Sequence, residues 1–181
     1  MQGHEQVVTK RDISAIQIPD GTPFFVPSGS QLRLVQALGG NWTVATPWGA
    51  LLRVDARDAD AIGKQTQAGA EIDQEGALEE RIWAQLRTCY DPEIPVDIVE
   101  LGLIYGVELQ PAEDGSDAQS VQVKMTLTAP GCGMGEILTR DVRDKVLGLR
   151  GVHDVDVELV FDPPWNQQMM SEAARLQLGM F

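Results

Sequence analysis

The sequence predicts an α+β protein, a three-stranded sheet covered by helices, preceded by a small all-β N-terminal module. Two observations carry this reading. Before residue 63 the apolar residues fall in short runs punctuated by Gly and Pro. After residue 76 longer segments alternate between a helical period and a strand period, in the order helix-strand-strand-helix-strand-helix. The expected boundaries are 1–63 for the β-rich module, 64–75 for a linker and 76–181 for the α+β domain.

Residues 1–20 read as a loose arm anchored by Ile13, Ile16 and Ile18. From Gly21 to about Ala61 the text reads as four short strands: Phe24–Val26, Gln31–Ala37, Trp42–Thr46 and Ala50–Asp55. Gly39-Gly40 between the second and third is a hairpin-turn dipeptide. Lys64 to Gln74 is polar and Gln-containing, as a linker would be. Leu78, Ile82, Leu86 and Cys89 then line one helix face, which Asp91-Pro92 ends. Leu103, Tyr105, Val107 and Leu109 alternate as a strand. So do Val121, Val123, Met125 and Leu127, with Gln122, Lys124 and Thr126 on the opposite face. Thr128-Ala-Pro-Gly-Cys-Gly-Met-Gly135 is too glycine-rich for either regular element. Helical spacing returns at Leu138, Val142, Val146 and Leu149. A third strand carries Val155, Val157, Leu159 and Phe161, and Asp162-Pro-Pro-Trp165 breaks it. Asn166 to Leu178 reads as a terminal helix with Met169, Ala173 and Leu176 inward.

The 181-residue chain is 43% apolar, with a formal net charge of −13 and a sequence pI of about 4.4. Nucleic acid and anionic membrane both demand a basic face, so neither is an expected partner. No run approaches the roughly 18 apolar residues of a membrane span. The two cysteines, Cys89 and Cys132, form no CxxC pair, so neither a disulfide framework nor a structural zinc site is readable. That usage fits a reducing compartment, and a cytoplasmic protein is expected.

Cys132 is the sharpest chemical feature. It sits where a strand hands over to a helix, and the backbone N–H groups of a helix N-terminus favour negative charge. A thiolate there could bind metal or attack an electrophile, and Gly131, Gly133 and Gly135 leave it approachable. The competing reading is a small residue packed in a tight turn. Cys89, on an apolar helix face, reads as core. Asp91-Pro-Glu-Ile-Pro95 is a rigid acidic loop; Asp91 either forms a turn or faces the cysteine loop. His153 reads as a surface histidine, with metal ligation as its alternative. Trp165 and Met169-Met170 read as packing. No GxGxxG, Walker A, GxSxG or HExxH motif is present.

Four segments occur in series: Asp91-Pro-Glu-Ile-Pro95, Glu100-Leu-Gly-Leu-Ile-Tyr105, Thr128-Ala-Pro-Gly-Cys132 and Asp162-Pro-Pro-Trp165. Together they resemble the SufT family of iron–sulfur cluster assembly proteins, within the wider PaaD-like group, over about residues 76–181. The N-terminal module with Leu38-Gly-Gly40 looks like the extension particular to SufT. The resemblance implies an α+β fold, a role in maturing iron–sulfur proteins and a site formed by Asp91, Glu93, Thr128 and Cys132. Of these, Cys132 and Asp91 are the implied metal ligands. Many relatives place two threonines before the cysteine or proline after it; here Ala129 and Gly133 stand in those positions.

The ligand count bounds the chemistry. Ordinary clusters take four protein ligands, usually thiolates, and one chain offers at most two. An all-cysteine cluster held stably by one chain is therefore excluded. What remains is a transient iron–sulfur cluster bound between molecules: bridged across a homodimer, in transit through Cys132, or touched briefly by an adaptor. The expected partners are an iron–sulfur scaffold or carrier and client apoproteins, and the expected role is not that of an enzyme. Two alternatives stand beside it. One is a thiol-dependent enzyme with Cys132 as nucleophile and Asp91 or His153 as base. The other is a mononuclear metal site of Cys132, Asp91, Glu93 and His153. A structural module with an incidental cysteine completes the set.

Overall fold

The computed structural model describes residues 5–65 and 75–180. The chain divides into two compact units, Met1–Glu71 and Ile72–Phe181. Most of the expected linker, residues 66–74, lies outside the described residues.

The first unit is one six-stranded antiparallel sheet. Its strands are β1 (Gln6–Val8), β2 (Ile13–Ile18), β3 (Pro23–Val26), β4 (Gln31–Leu38), β5 (Asn41–Ala45) and β6 (Leu51–Val54), in the spatial order β1-β4-β5-β6-β2-β3. Gly39 and Gly40 take φ of +60° and +84°, the pair of positive values that a two-residue hairpin of this twist requires. The expected loose arm is instead two strands. β2 lies between β6 and β3, and Val7, Ile13, Ala15 and Ile18 are buried. Its alternation is hard to read because it slips at Ile16-Gln17. A second departure follows β6, where residues Ala56–Ile62 form a 3-10 helix. Asp55 caps it by accepting the Arg57 N–H, and Ala59, Ala61 and Ile62 seal the core.

The second unit follows the expected order. It contains α1 (Leu78–Leu86), β7 (Ile104–Pro111), β8 (Gln119–Met125), α2 (Gly135–Leu147), β9 (Val152–Leu159) and α3 (Glu172–Gln177). The sheet order is β7-β8-β9, with β7 and β8 antiparallel and β8 and β9 parallel. A parallel pair needs a crossover, and α2 supplies it. Val121, Val123 and Met125 of the central strand meet Ile82 and Leu86 of α1 and Leu138, Val142 and Val146 of α2 in one core. Each such buried aliphatic side chain contributes about 1.5–3 kcal/mol. The alternate strand positions are polar, with Lys124 Nζ 2.7 Å from Glu108.

The terminal helix differs from its expectation in phase. A 3-10 turn at Gln167–Met169 comes first, and the Ser171 hydroxyl then accepts the Ala174 N–H and starts α3. This restart moves the inward face by one residue. Met170 and Ala174 are buried, whereas Ala173 is exposed and Leu176 is 55% exposed.

Candidate functional site

Ile104 of β7 pairs with Met125 of β8, which pairs with Leu159 of β9. β7 therefore begins where β8 and β9 end, and three of the four segments singled out in the sequence leave or enter the sheet at this one end. The Glu100–Tyr105 run leads into β7, the cysteine loop leaves β8, and Asp162-Pro-Pro-Trp165 leaves β9.

Cys132 lies three residues before α2. Its carbonyl accepts the Gly135 N–H at 3.0 Å, and Leu138 N–H reaches Met134 O at 2.9 Å. The loop is pinned at its base, because a Cβ on Gly135 would stand 2.6 Å from Leu127 Cδ1. Within it Ala129, Pro130, Gly131 and Gly133 are exposed, while Cys132 is half-buried with one side against the core. Cys89 is wholly buried, with Sγ 3.8 Å from the Gln85 carbonyl.

Asp91 forms a turn within its own loop: Oδ1 accepts the N–H groups of Glu93 at 2.8 Å and Ile94 at 3.2 Å. Burial pushes its carboxyl above the ordinary value of 3.8, with those two donors opposing the shift. Glu93 is exposed and Thr128 half-buried. The loop is tied down by the bridge between Tyr90 and Asp97 and by the Ile98 N–H on Cys89 O at 2.9 Å. Arg81, in the first turns of α1, reaches Arg150 O, and Lys145, in the last turn of α2, reaches Thr88 O, so both contacts tie α1 and the residues after it to the C-terminal end of α2.

His153 is elsewhere. It stands at the start of β9, with Nδ1 3.5 Å from Asp114, while the cysteine loop belongs to the far end of the sheet. A strand of this length spans about 20 Å, so His153 joins no site with Cys132. Among the described residues no group of three or more His, Cys, Asp and Glu side chains is placed to hold a metal ion.

Two site-end residues were not singled out in the sequence. Asp97 holds the turn before β7, its Oδ1 accepting the Val99 and Glu100 N–H groups at 3.0 Å each. Burial raises its carboxyl as well. Thr126, expected on the polar face, is fully buried. β8 has ended, its N–H bonds Leu103 O at 2.8 Å, and its hydroxyl is buried without a partner. An aspartate side chain accepts the backbone N–H two residues on, so an Asp of this kind signals a turn; nothing in the strand's alternation signals the burial of Thr126.

A family model described as "Iron-sulfur cluster assembly protein" matches residues 79–159. An "Fe-S protein maturation auxiliary factor" of Porphyromonas gingivalis is 50% identical over 101 residues, covering 56% of this chain and 90% of that protein. The "Fe-S protein maturation auxiliary factor YitW" of Bacillus subtilis is 40% identical over 106 residues, covering 59% of this chain and 98% of the relative. The "Fe-S protein maturation auxiliary factor SufT" of Staphylococcus aureus is 38% identical over 90 residues, covering 50% and 96%. The chain belongs to this SufT-like family of iron–sulfur cluster assembly proteins.

Proposed function

We propose that the protein assists the transfer of iron–sulfur clusters to client apoproteins in the cytoplasm, acting as an assembly factor rather than a turnover enzyme. Cys132 is the transient ligand of the cluster in transit, and Asp91, Glu93 and Thr128 flank it. The observation that carries this reading is the contrast between the two thiols: Cys132 stands in an exposed loop, whereas Cys89 is sealed in the core. One reachable cysteine against a need for four ligands favours shared ligation, by a scaffold, a carrier, a client or a second copy of the chain. Incomplete ligation also makes a cluster easy to release.

The observed geometry does not favour the alternatives. A thiol enzyme needs a base hydrogen-bonded to its nucleophile, and the Asp91 carboxylate is engaged by its own loop while His153 is at the other end of the sheet. The same placement of His153 removes it from the mononuclear metal set.

The test is anaerobic reconstitution with ferrous iron and sulfide on wild type and Cys132→Ser, reading visible absorption and iron and sulfide per chain. We expect a chromophore in the wild type that the variant lacks, at less than one cluster per chain. An equal chromophore in both proteins would remove Cys132 from the reading.

A further inference from the structure

The segment after β9 lies along the segment that joins the Asp91 loop to β7, its backbone antiparallel where Ser171 meets Glu100 and Met169 meets Gly102, and holds it at five places. Gln177 Nε2 donates to Pro95 O at 2.8 Å, the Ser171 N–H to Glu100 O at 2.9 Å, and Trp165 Nε1 to Leu101 O at 2.8 Å. The Met169 carbonyl passes so close to Gly102 that a Cβ there would stand 2.2 Å from its oxygen. Tyr105 closes the row by donating its hydroxyl to Pro163 O at 2.7 Å.

This row is built rather than incidental. Tyr105 occupies the irregularity between Ile104 and Gly106 where β7 slips against β8, and a bulge is a device that re-aims a side chain. Gly102 has φ +72° and lies where backbone meets backbone, so a side chain is disfavoured there twice over. Glu100 adds a side-chain bond to Ser171 and an ion pair with Arg87 of the α1 terminus.

We infer that residues 163–177 are the positioning element of the candidate site, fixing where the Asp91 loop stands relative to the cysteine loop. Two connections carry this placement. Gln177 bonds Pro95 within the acidic loop itself. Leu103, on the braced segment, accepts the Thr126 N–H at the root of the cysteine loop. The surroundings of Cys132 thus depend on residues that are remote from it in sequence. The inference rests on the reading of Cys132 and Asp91 as one site.

The test uses the full chain and alkylation of Cys132 by iodoacetamide at fixed pH, followed by mass spectrometry. The triple variant Tyr105→Phe, Trp165→Phe, Gln177→Ala removes three of the bonds and keeps an aromatic ring at positions 105 and 165. Cys89 is the internal control, because only opening of the core exposes it. The expected result is a change of about fivefold in the Cys132 rate, the factor worth one net hydrogen bond, with Cys89 still silent. Tyr105→Phe alone should give part of it. An unchanged Cys132 rate, or equal gains at both cysteines, would mean that the tail only stabilises the unit and would overturn the inference. Failure of the function itself is seen separately, as a reconstitution indifferent to Cys132→Ser while the alkylation result stands.

Discussion

The two units divide the chemistry unequally. Residues 1–71 carry six basic and seven acidic side chains and no cysteine; residues 72–181 carry eight basic and twenty acidic side chains and both cysteines. The family model falls entirely within the second unit. In the first unit charged side chains are spent on its own framework: Arg11 pairs with Asp58 and Asp60, and Lys64 lies 5.8 Å over the Trp42 ring. In the second, the carboxylates of Asp91 and Asp97 hold the backbone of the loops around the candidate site. The first unit joins three local hairpins by two longer-range pairings, β1 with β4 and β2 with β6, whereas the site end of the second depends on segments from four parts of the chain.

Substitutions should separate the units accordingly. The largest effect is expected from Gly102→Ala, where a positive φ and a backbone collision coincide. It should cost about 2–4 kcal/mol. Hydrogen exchange should show protection lost within residues 76–180 and kept in β4 to β6; loss in both units would deny them separate stability. Next comes Asp97→Ala, which strands two backbone N–H groups and should cost about 1–2 kcal/mol in urea unfolding.

Asp97→Asn keeps the acceptor and removes the charge. Because burial raises the Asp97 carboxyl in the folded state, its contribution to stability is greatest below the unfolded value and declines as pH rises through the folded value. The asparagine variant should therefore gain on the wild type as pH is raised from below 3.8 toward neutrality, in paired unfolding curves; a gain in the opposite direction would contradict the buried carboxylate.

In the first unit Gly39→Ala should cost about 1 kcal/mol through its positive φ, with no effect on Cys132 alkylation. The smallest effect belongs to Arg11→Ala, an exposed ion-pair partner. A slight loss of stability at low salt should fade as salt is added.

How much of this was legible depended on the range of the contact involved. Gly39-Gly40 announced a hairpin because the turn needs only those two residues. The order of helices and strands after residue 76 was legible because each element carries its own period. The burial of Cys89 followed from its place on the face of Leu78, Ile82 and Leu86. Strand β2 was missed because its Ile13-Ser-Ala-Ile-Gln-Ile18 pattern slips in phase and acquires its meaning from β6 and β3 on either side. The phase of α3 was missed because Ser171 restarts the helix, and a continuous period cannot show a restart. At the candidate site, the cysteine and the acidic loop were visible as motifs. Tyr105 and Gln177 were silent, since their bonds go to backbone atoms dozens of residues away.

The sealing of Cys89 has a consequence for oxidation. Both cysteines are thiols, yet only one can meet an oxidant while the core is closed. A sulfenic acid formed on Cys132 would have no resolving thiol available in its own folded chain. Its disulfide-forming rescue needs a thiol from another molecule, and further oxidation leads to the irreversible acids. The exposure of the Cys132 loop thus ties the working life of the protein to the supply of small thiols around it.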